Sequence, residues 1–516
     1  MRRFFKIIFS RMTLVVIAIL IQLGISIVLP YVFNHYYPIV FNHIYVPIET
    51  IITIFGIILM IRIINSDMPI EGQLTWVIIL LIFPIFGIFI YFLFVRRRPP
   101  RRHKKFYRKV SNEIKQYLVK YKEEDEELKT KLGKHYGQFE YIYKSTGLKT
   151  YDNTEIKYLR LGEVFFTELL EELRNAKKYI FMEYFIIERG EMWNAILSVL
   201  RMKVKQGVEV RVMYDDLGTI NKLPNNFAKK LNEMGIKSVK FNSFIPIMSA
   251  VHNNRDHRKM TIIDGKIGFM SGLNLADEYV NIKSKFGHWK DTGIKIKGAA
   301  VKNMVLMFLQ LYDVQNQKLE DFSTYLPNEV TAVNATGLVC PYGDGPKYFY
   351  SEYVAENVYL NIINQAENYV WITTPYLIID NKLTNALCNA ARRGVDVRII
   401  TPHIPDKKII FNLTRSSYKT LQEAGVKILE YSKGFIHAKQ VICDDCLAVV
   451  GTINFDYRSL LHHYECGTLM YKTDAINDIK KDFEHLFTIG INMDGFRLNP
   501  FVRLMCAIIK VFTPML

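Results

Sequence analysis

Residues 257–274 read HRKMTIIDGKIGFMSGLN, and residues 437–454 read HAKQVICDDCLAVVGTIN. Both stretches have a His, a Lys two residues later, an Asp five residues after the Lys, and an Asn ten residues after the Asp. A His, a cation and an amide together suit phosphate chemistry, so the pair of stretches predicts one site built from two halves. The matching residues are His257, Lys259, Asp264 and Asn274 in the first stretch and His437, Lys439, Asp444 and Asn454 in the second.

The sequence around the two stretches also repeats, as apolar, β-branched runs that follow helical segments ending in Gly. This repeat predicts two copies of one α/β domain, at residues 140–325 and 326–495. The halves differ most at an extra loop, FNSFIPIMSA (241–250), which lies just before the first His stretch. The corresponding runs are YIFMEYFII (179–187) and YVWITTPYLI (369–378), GVEVRVMYDD (207–216) and GVDVRIITP (394–402), and GIKSVKFN (235–242) and GVKILEYS (425–432).

The spacing of each stretch suits attack on a phosphodiester. In an extended segment, the His and the Lys point to the same side because side chains alternate with a period of two. A neutral imidazole can attack phosphorus, while Lys and Asn side chains hold the non-bridging oxygens. A second imidazolium can protonate the leaving alcohol, so the reaction needs one His from each half. Because two His and two Lys supply positive charge, we expect no metal or other cofactor.

Each catalytic His also needs a carboxylate or a carbonyl group to fix its tautomer. Glu465 lies eleven residues after Asn454, and the corresponding tripeptide of the first half begins at Asp291. We expect Asp291 and Glu465 to be these orienting groups, one in each half, so that the tautomer of His257 depends on Asp291. The alternative is that both are ordinary carboxylates at strand ends.

The paired stretches resemble the HKD motifs of the phospholipase D superfamily, over about residues 140–495. The segments MEYFII, YDD, HWKDTG, TTPY and FDYRS are similar to its bacterial cardiolipin synthase branch, as is an N-terminal region with SDMPIEGQLTW and FPIFGIFIY (66–91). The resemblance implies two α/β/α domains that share one active site along a pseudo-twofold axis. It also implies transphosphatidylation, in which two phosphatidylglycerol molecules give cardiolipin and glycerol.

The resemblance further implies roles for individual residues. His257 becomes the nucleophile that forms a phosphohistidine, and His437 becomes the acid and base, although the residues alone do not break the symmetry. Asp264 and Asp444 belong to the motif but are expected to brace the site rather than transfer protons. The predicted catalytic set is His257, Lys259, Asp264, His437, Lys439 and Asp444. The predicted substrate-binding set is Asn274, Asn454, Asp291, Glu465, Glu183 and Asp215.

Other polar residues near the strands have two interpretations. Glu183 and the pair Asp215–Asp216 either recognise a glycerol headgroup or simply end strands at the face where sites gather. Tyr376 and Arg458 likewise either contact substrate or brace the structure. Four His residues flank the motifs and are expected to be loop or packing residues: His252, His288, His462 and His463.

The N-terminal residues 1–100 contain three apolar runs. Thr13–Phe33 and Leu74–Val95 have the length of about 20 residues that crosses a bilayer, whereas Glu49–Ile61 is short. Basic clusters precede the first run and follow the last, and cytoplasmic loops prefer Lys and Arg. We expect a multi-pass protein of the cell membrane with cytoplasmic catalytic domains, in which the run near residues 48–64 does not cross fully. Alternatively, all three runs cross and one basic end lies outside.

The composition fits a membrane protein with an anionic partner. Hydrophobic residues make up 50% of the 516 residues and the formal net charge is +17 at pH 7; the mean hydropathy is +0.06. A basic surface implies nucleic acid or anionic lipid as partner. Because the charge is concentrated beside the apolar runs, we expect phosphatidylglycerol and anionic membrane lipid, and no nucleic acid. The sequence neither indicates nor excludes an oligomer.

Two further segments and the cysteines complete the predicted organisation. Residues 101–139 are predicted to be a charged helical connector, either close to the membrane surface or a solvated spacer. Residues 496–516 form an apolar, basic tail, either a helix lying on the membrane or the last packing helix. The six Cys form no regular framework, and the CxxC of Cys443–Cys446 is interpreted as structural because a zinc site usually needs a second pair.

Three functions remain in competition. The resemblance favours a phosphatidyltransferase that makes cardiolipin. The alternative within the same superfamily is a membrane-bound phosphodiesterase that uses water, either a lipid hydrolase or a nuclease. A non-catalytic scaffold is disfavoured because all eight motif residues are present.

Overall fold

In the computed structural model, both His stretches fold into the same β-hairpin. The first strand runs from the motif Lys, or the residue after it, to the residue before the motif Asp. Asp264 and Asp444 occupy the turns with positive φ angles of 54° and 50°, a conformation that Asp tolerates better than most residues. The hairpins are Lys259–Ile263 with Ile267–Ser271 and Gln440–Cys443 with Leu447–Gly451.

The structure describes residues 24, 28–94, 101–119, 122–243, 254–327 and 335–515. These residues divide into two compact units. One lies within Met1–Arg98 and Ala507–Leu516, and the other within Pro99–Pro246 and His252–Cys506. Four features predicted from the sequence fall wholly or mostly outside the described residues: the run Thr13–Phe33, the basic cluster after Val95, the loop 241–250, and His252.

Eight strands belong to the first half of the larger unit. Seven of them form one mixed sheet in the order β1-β8-β6-β5-β2-β3-β4, in which only the β2–β3 and β3–β4 pairs are parallel. The strands are β1 (Thr154–Leu159), β2 (Tyr179–Tyr184), β3 (Glu209–Asp215), β4 (Lys237–Phe241), β5 (Lys259–Ile263), β6 (Ile267–Ser271), β7 (His288–Lys290) and β8 (Gly293–Gly298).

The second half repeats this sheet strand for strand. Its order is β19-β13-β12-β10-β15-β16-β18-β9, which matches the first sheet with β19 added at the edge. The sequence-predicted duplication of an α/β domain is therefore confirmed. The strands are β9 (Leu338–Asp344), β10 (Tyr369–Thr373), β11 (Leu377–Ile378), β12 (Asp396–Pro402), β13 (Lys427–Tyr431), β14 (Gly434–Ile436), β15 (Gln440–Cys443), β16 (Leu447–Gly451), β17 (Phe455–Asp456), β18 (Glu465–Tyr471) and β19 (Gly490–Asn492).

One continuous apolar core joins the two halves. It includes Met260 and Met270 of the first sheet together with Val449 and Leu469 of the second. The helix Val301–Asn316 is buried over most of its surface and belongs to the same core, as an apolar helix must when it lies between layers. The halves are thus packed as one body, which allows side chains from both to share a site.

Helices flank the sheets and precede them. In the larger unit they are Arg101–Lys115, Lys122–Leu132, Tyr136–Thr146, Gly162–Asn175, Glu191–Lys205, Asp216–Thr219, Phe227–Glu233, Val301–Asn316, Val354–Gln365, Asn381–Arg392, Lys408–Ser416, Tyr418–Glu423, Tyr457–Leu461 and Ala475–Ile489. Near the C-terminus, Pro500–Lys510 forms another helix, on which Cys506 is buried while Phe501, Leu504 and Ile508 are exposed. All six Cys are free thiols, and Cys443 ends β15.

The N-terminal unit corrects two of the membrane predictions. Pro38–Ile64 is one helix of 27 residues, and it is the one described helix that is long and apolar enough to cross a membrane. The run near residues 48–64, which we expected to fall short, therefore has the required length. The run Leu74–Val95 is instead split into two short helices, Ile70–Ile82 and Pro84–Phe94.

The split has a simple physical cause in Pro84. Proline has no N–H to donate, and it disfavours the helical conformation of the residue before it. Phe83 accordingly has φ of −133° and ψ of 71°, outside the helical region. A Pro within the apolar run was the signal for this break.

Candidate active site

The predicted His and Lys side chains are buried where the first strand of each hairpin begins. His257 is 8% exposed, Lys259 0%, His437 6% and Lys439 1%. Each Lys ammonium donates a hydrogen bond to the backbone oxygen of the His two residues before it. The HxK spacing therefore produces the same local geometry in both halves.

A parallel pairing between the halves positions His437. β7 pairs with β14 so that Lys290 lies opposite Ile436. The backbone N–H of His437 then donates to the carbonyl oxygen of Lys290 at 2.7 Å. The next residue after Lys290 is Asp291, and its Oδ2 lies 2.6 Å from Nδ1 of His437.

A second parallel pairing positions His257 in the same way. An isolated bridge pairs Asp256 with Tyr464, and the backbone N–H of His257 donates to the carbonyl oxygen of Tyr464 at 2.9 Å. The next residue after Tyr464 is Glu465. Its two carboxylate oxygens lie 2.8 Å and 3.0 Å from Nδ1 of His257.

The two carboxylates are therefore exchanged between the halves. We expected Asp291 to fix the tautomer of His257 within the first half, and this expectation is wrong. Glu465 of the second half contacts His257, whereas Asp291 of the first half contacts His437. The cause is the register of the two parallel pairings, each of which places the carboxylate of one half beside the imidazole of the other.

Both imidazoles are held in the same tautomer. A carboxylate only accepts hydrogen bonds, so the proton of each ring is assigned to Nδ1 and the lone pair to Nε2. The carboxylates are anchored in turn. The Thr452 hydroxyl donates to Glu465, and the backbone N–H of Thr292 donates to Asp291 at 2.9 Å. Each His can therefore present a nucleophilic or basic Nε2.

Burial weakens the positive charge of both imidazoles. Burial and the neighbouring Lys259 and Lys439 lower the pKa of His257 well below its usual range. Burial and Lys439 lower the pKa of His437 to about 4, against the opposing effect of Asp291. Both rings are therefore neutral near pH 7, which is the form that attacks or accepts a proton.

The exchanged carboxylates also affect the pKa values of the two Lys residues. Burial lowers the pKa of Lys259 to about 8, and Glu465 is the strongest opposing group. Burial lowers the pKa of Lys439 to about 7, and there Asp291 is the strongest opposing group. An anionic phosphodiester close to these side chains favours their protonated forms and so raises their pKa values.

The two motif Asn residues differ in their contacts. Asn274 accepts a hydrogen bond from the backbone N–H of Ile186 at 2.9 Å and donates one to the Tyr279 hydroxyl at 2.8 Å. Oδ1 of Asn454 is buried and has no hydrogen-bond partner among the described residues. The Asn454 side chain also forms a hydrogen bond with Asp456, so both motif Asn residues have contacts within the protein.

The motif Asp residues lie at the far end of each hairpin, five residues from the Lys. At about 3.3 Å per residue this separates them from the Lys by roughly 16 Å. Asp264 accepts hydrogen bonds from three successive backbone N–H groups at the start of β2, at 2.7–2.9 Å. Asp444 does the same at the start of β10, at 2.8 Å. They lie outside the His and Lys cluster and anchor the central strand of each sheet.

The sequence matches known proteins over most of its length. The family model of the cardiolipin synthase, phospholipase D-like domain matches residues 169–296 and 359–487. A cardiolipin synthase of Alkalihalophilus pseudofirmus is 33% identical over 452 residues, which cover 86% of this chain and 88% of the relative. An uncharacterised protein of Streptococcus mutans serotype c is 44% identical over 425 residues, which cover 82% of this chain and 92% of the relative.

The chain belongs to the cardiolipin synthase family. A solved phosphatidylserine synthase of Haemophilus influenzae shares the fold, with a TM-score of 0.55 over 73% of this chain and 97% of the other. Its sequence identity is 16%, so that likeness concerns the fold alone.

Two further acidic residues that the sequence suggested for this cardiolipin synthase family member are engaged within the protein. Glu183 is fully buried, its oxygen lies 3.9 Å from the Arg258 guanidinium, and burial together with Asp256 raises its pKa well above the usual range. Asp215 accepts a hydrogen bond from Arg255 Nε at 2.9 Å and one from the backbone N–H of Asp256. The contacts of Asp215 favour a structural interpretation, whereas neither carboxylate oxygen of Glu183 has a hydrogen-bond partner among the described residues.

The other flanking residues are also held by protein contacts. Lys240 lies 3.4 Å from Asp216. The Tyr376 hydroxyl donates to Asp406 at 2.6 Å. His288 shares a hydrogen bond of 2.9 Å with the Tyr431 hydroxyl. The backbone carbonyl of Arg458 accepts the N–H groups of both His462 and His463 and so shapes the turn before Glu465.

His463 is the site residue that the sequence analysis underestimated. Its ring centroid lies 5.3 Å from that of His257, and neither ring nitrogen has a hydrogen-bond partner within the described part of the chain. The equivalent position two residues before Asp291 is Trp289, whose ring lies 5.2 Å from His437. The repeat contained the signal for this residue, because His463 and Trp289 each lie two residues before the carboxylate of their half.

Proposed function

We propose that this chain is a cardiolipin synthase that transfers a phosphatidyl group from one phosphatidylglycerol to another and releases glycerol. The observation that carries the proposal is the pair of buried imidazoles, each held at Nδ1 by a carboxylate of the opposite half. Such a pair provides one nucleophile and one proton carrier within a single site. The family membership of the chain supports the choice of lipid substrate.

In the first step, Nε2 of His257 attacks phosphorus and forms a P–N bond. The P–O bond to the headgroup glycerol breaks, and His437, which becomes protonated when the anionic substrate binds beside it, gives its proton to the departing alkoxide. Lys259, Lys439 and the Asn454 amide hold the non-bridging oxygens as charge develops on them. The products are free glycerol and a phosphatidyl group bound to His257.

In the second step, neutral His437 takes the proton of a hydroxyl group on the second phosphatidylglycerol. The resulting alkoxide oxygen attacks phosphorus, a new P–O bond forms, and the P–N bond to His257 breaks. His437 is then protonated again and His257 is free. The chemistry is reversible, because glycerol can re-enter by the same route.

The assignment of His257 as the nucleophile rests on the resemblance to the family. The contacts at the two rings are equivalent, because each Nδ1 lies beside a carboxylate of the opposite half.

The membrane arrangement is part of the same proposal. A crossing by Thr13–Phe33 and a crossing by Pro38–Ile64 bring both basic ends of the region to the cytoplasmic side, as Lys and Arg prefer. The short helices Ile70–Ile82 and Pro84–Phe94 then remain on that side of the bilayer. Labelling of single introduced cysteines at residues 36 and 66 with a membrane-impermeant reagent tests this: only the first is expected to react in intact cells.

The C-terminal helix Pro500–Lys510 is proposed to lie on the same membrane surface. Phe501, Leu504 and Ile508 expose apolar side chains, and Arg503 and Lys510 supply positive charge. Apolar and basic side chains together suit an anionic lipid surface. Replacement of Phe501 and Leu504 by Ser is expected to weaken vesicle binding of the chain without residues 1–100 in a flotation assay, whereas replacement of exposed Ile409 should not.

The deciding experiment uses the full-length protein in phosphatidylglycerol vesicles, with the products resolved by mass spectrometry. Cardiolipin and glycerol in equal amounts are expected, and none with His257→Ala. Phosphatidic acid in place of cardiolipin would favour the lipid hydrolase. Cleavage of added DNA with no change in the lipids would favour the nuclease.

A further inference from the structure

We propose that His257, His463 and Glu465 form an inhibitory binding site for a divalent transition-metal ion such as Zn²⁺. One ligand atom from each of these buried residues lies within 4.8 Å of the others. Two His and one Glu form a ligand set that binds zinc in many proteins. The binding itself does not depend on the proposed function, but the inhibition depends on the proposed role of His257.

The distances fit a small tetrahedral ion. Glu465 Oε1 lies 2.8 Å from Nδ1 of His257 and 3.8 Å from Nδ1 of His463. Zinc binds nitrogen and oxygen at about 2.0–2.2 Å, which places tetrahedral ligand atoms roughly 3.3 Å apart. The observed separations lie on both sides of this value, so small side-chain rotations are enough to close the site.

His463 is the residue that makes the cluster a metal site rather than only a His–carboxylate pair. It is 7% exposed, and neither of its ring nitrogens has a hydrogen-bond partner among the described residues. A neutral imidazole offers one lone pair that a metal ion can take. A buried imidazole without partners gains the most from a ligand that satisfies it.

Binding has a defined proton balance. The Nδ1 proton of neutral His257 moves to Nε2, and the metal ion takes the freed lone pair on Nδ1 together with one lone pair from neutral His463 and one from the Glu465 carboxylate. No net proton is released to the buffer, because each ligand already has the protonation state that binds a metal. The nearby Lys259 and Lys439 oppose a cation, so the affinity is set by the three fixed ligands against this repulsion.

The consequence for turnover is direct. The carboxylate of Glu465 no longer accepts a hydrogen bond from Nδ1 of His257, and the positive charge of the ion draws electron density from the ring. Nε2 now carries the proton of the ring and has no lone pair with which to attack phosphorus, so phosphohistidine formation stops. Chelation of the ion restores the original hydrogen bond.

Among the described residues, the His437 side has no such cluster of metal ligands. His437 and Asp291 correspond to His257 and Glu465, but the third position is Trp289, which has no lone pair for a metal. A second pair of possible zinc ligands lies elsewhere, since Cys446 Sγ lies 3.7 Å from His135 Nε2. The test must therefore separate the two clusters.

The test uses the full-length protein in phosphatidylglycerol vesicles, titrated with Zn²⁺ and then with EDTA. The activity of each variant with zinc is expressed relative to its activity without zinc, so a change in basal activity does not affect the measured inhibition. We expect EDTA-reversible inhibition of the wild type. Outer ligand partners alone change metal affinity by about 10–100-fold, so His463→Asn should raise the inhibitory zinc concentration at least about tenfold. Cys446→Ser should leave it unchanged.

Binding is measured separately by calorimetry and by the absorption spectrum of added Co²⁺. Binding without net proton release and a spectrum without a thiolate charge-transfer band support the proposal, because thiol ligands would release protons on binding. Inhibition that His463→Asn leaves intact, or that Cys446→Ser relieves, overturns it. If the wild-type protein binds one Zn²⁺ through His463 yet makes no cardiolipin, the metal site stands and the proposed function fails.

Discussion

The His257 side and the His437 side of the active site have the same backbone but different neighbours. Each has a buried His, a Lys two residues later, and a carboxylate from the opposite half. The third group differs, because His463 lies beside His257 and Trp289 lies beside His437. The shared His, Lys and carboxylate are the groups that a two-step phosphoryl transfer needs. The third group differs in chemistry, because the imidazole of His463 can bind a metal ion and the indole of Trp289 cannot.

This comparison also shows how a duplicated fold becomes a single site. Neither half holds its own His, since each carboxylate is donated across the interface by a parallel pairing. A separated half therefore has a His without an orienting group. Each His depends on a carboxylate of the opposite half, so the site needs both copies of the motif.

The largest effect is expected when either imidazole is removed. His257→Ala and His437→Ala should each lower turnover by at least about 10⁴-fold, because residues that act as one unit lose nearly all activity singly. The measurement is cardiolipin formation from radiolabelled phosphatidylglycerol. Appreciable turnover in either variant would contradict a site shared by both halves.

The two variants should still differ in one respect. His437→Ala retains the proposed nucleophile, so brief incubation with radiolabelled lipid should leave some label on the protein. His257→Ala should leave none. The reverse pattern would exchange the two roles without affecting the shared site.

A smaller loss is expected when the exchanged carboxylates are neutralised. Glu465→Gln and Asp291→Asn should each reduce kcat by between about 10²- and 10⁴-fold, since an orienting carboxylate has effects of this size. Selective ¹⁵N NMR of the imidazoles shows which His ring has changed its tautomer in each variant. Glu465→Gln should disturb the tautomer of His257 and leave His437 unchanged, and Asp291→Asn should do the opposite. Disturbance within the same half would refute the exchange.

The pH dependence of kcat/KM gives a finer test of the carboxylate exchange between the halves. The pKa of Lys439 is lowered to about 7 and that of Lys259 to about 8, mainly by burial. Loss of these charges should reduce kcat/KM as the pH rises through this range. Asp291 raises the pKa of Lys439, so Asp291→Asn should shift the falling limb to lower pH. An unchanged or upward-shifted limb would show that Asp291 does not act on Lys439.

The sequence was sufficient for the parts of the fold that repeat. The matched strands, the hairpins and the buried His and Lys follow from spacing and apolar pattern, which are local properties. The partner of each His did not follow, because it depends on the register of β7 against β14 and of Asp256 against Tyr464. That register is set by packing between residues far apart in the chain.

The remaining differences have similar causes. His463 was taken for a packing residue, because burial and missing hydrogen bonds are visible only when neighbouring elements are assembled. The break at Pro84 was a local signal that the length of the apolar run concealed. Asp264 and Asp444 were placed in the predicted catalytic set and expected to brace the site, but their carboxylates instead anchor a strand at a distance from the pocket.

The smallest effect on activity is expected at Asp264 and Asp444, where the two halves are most alike. Each carboxylate holds three backbone N–H groups, and hydrogen bonds to a charged group contribute about 1.5–3 kcal/mol each. Asn tolerates the positive φ angle and still accepts some of these bonds, so Asp264→Asn and Asp444→Asn should each reduce the free energy of unfolding by roughly 1–3 kcal/mol. Thermal unfolding measures this change, and turnover well below the unfolding temperature should stay within about threefold of the wild type. Similar losses at the two positions follow from the matched contacts, whereas a collapse of kcat in folded Asp264→Asn would assign that carboxylate a chemical role and make the two halves differ where they now appear the same.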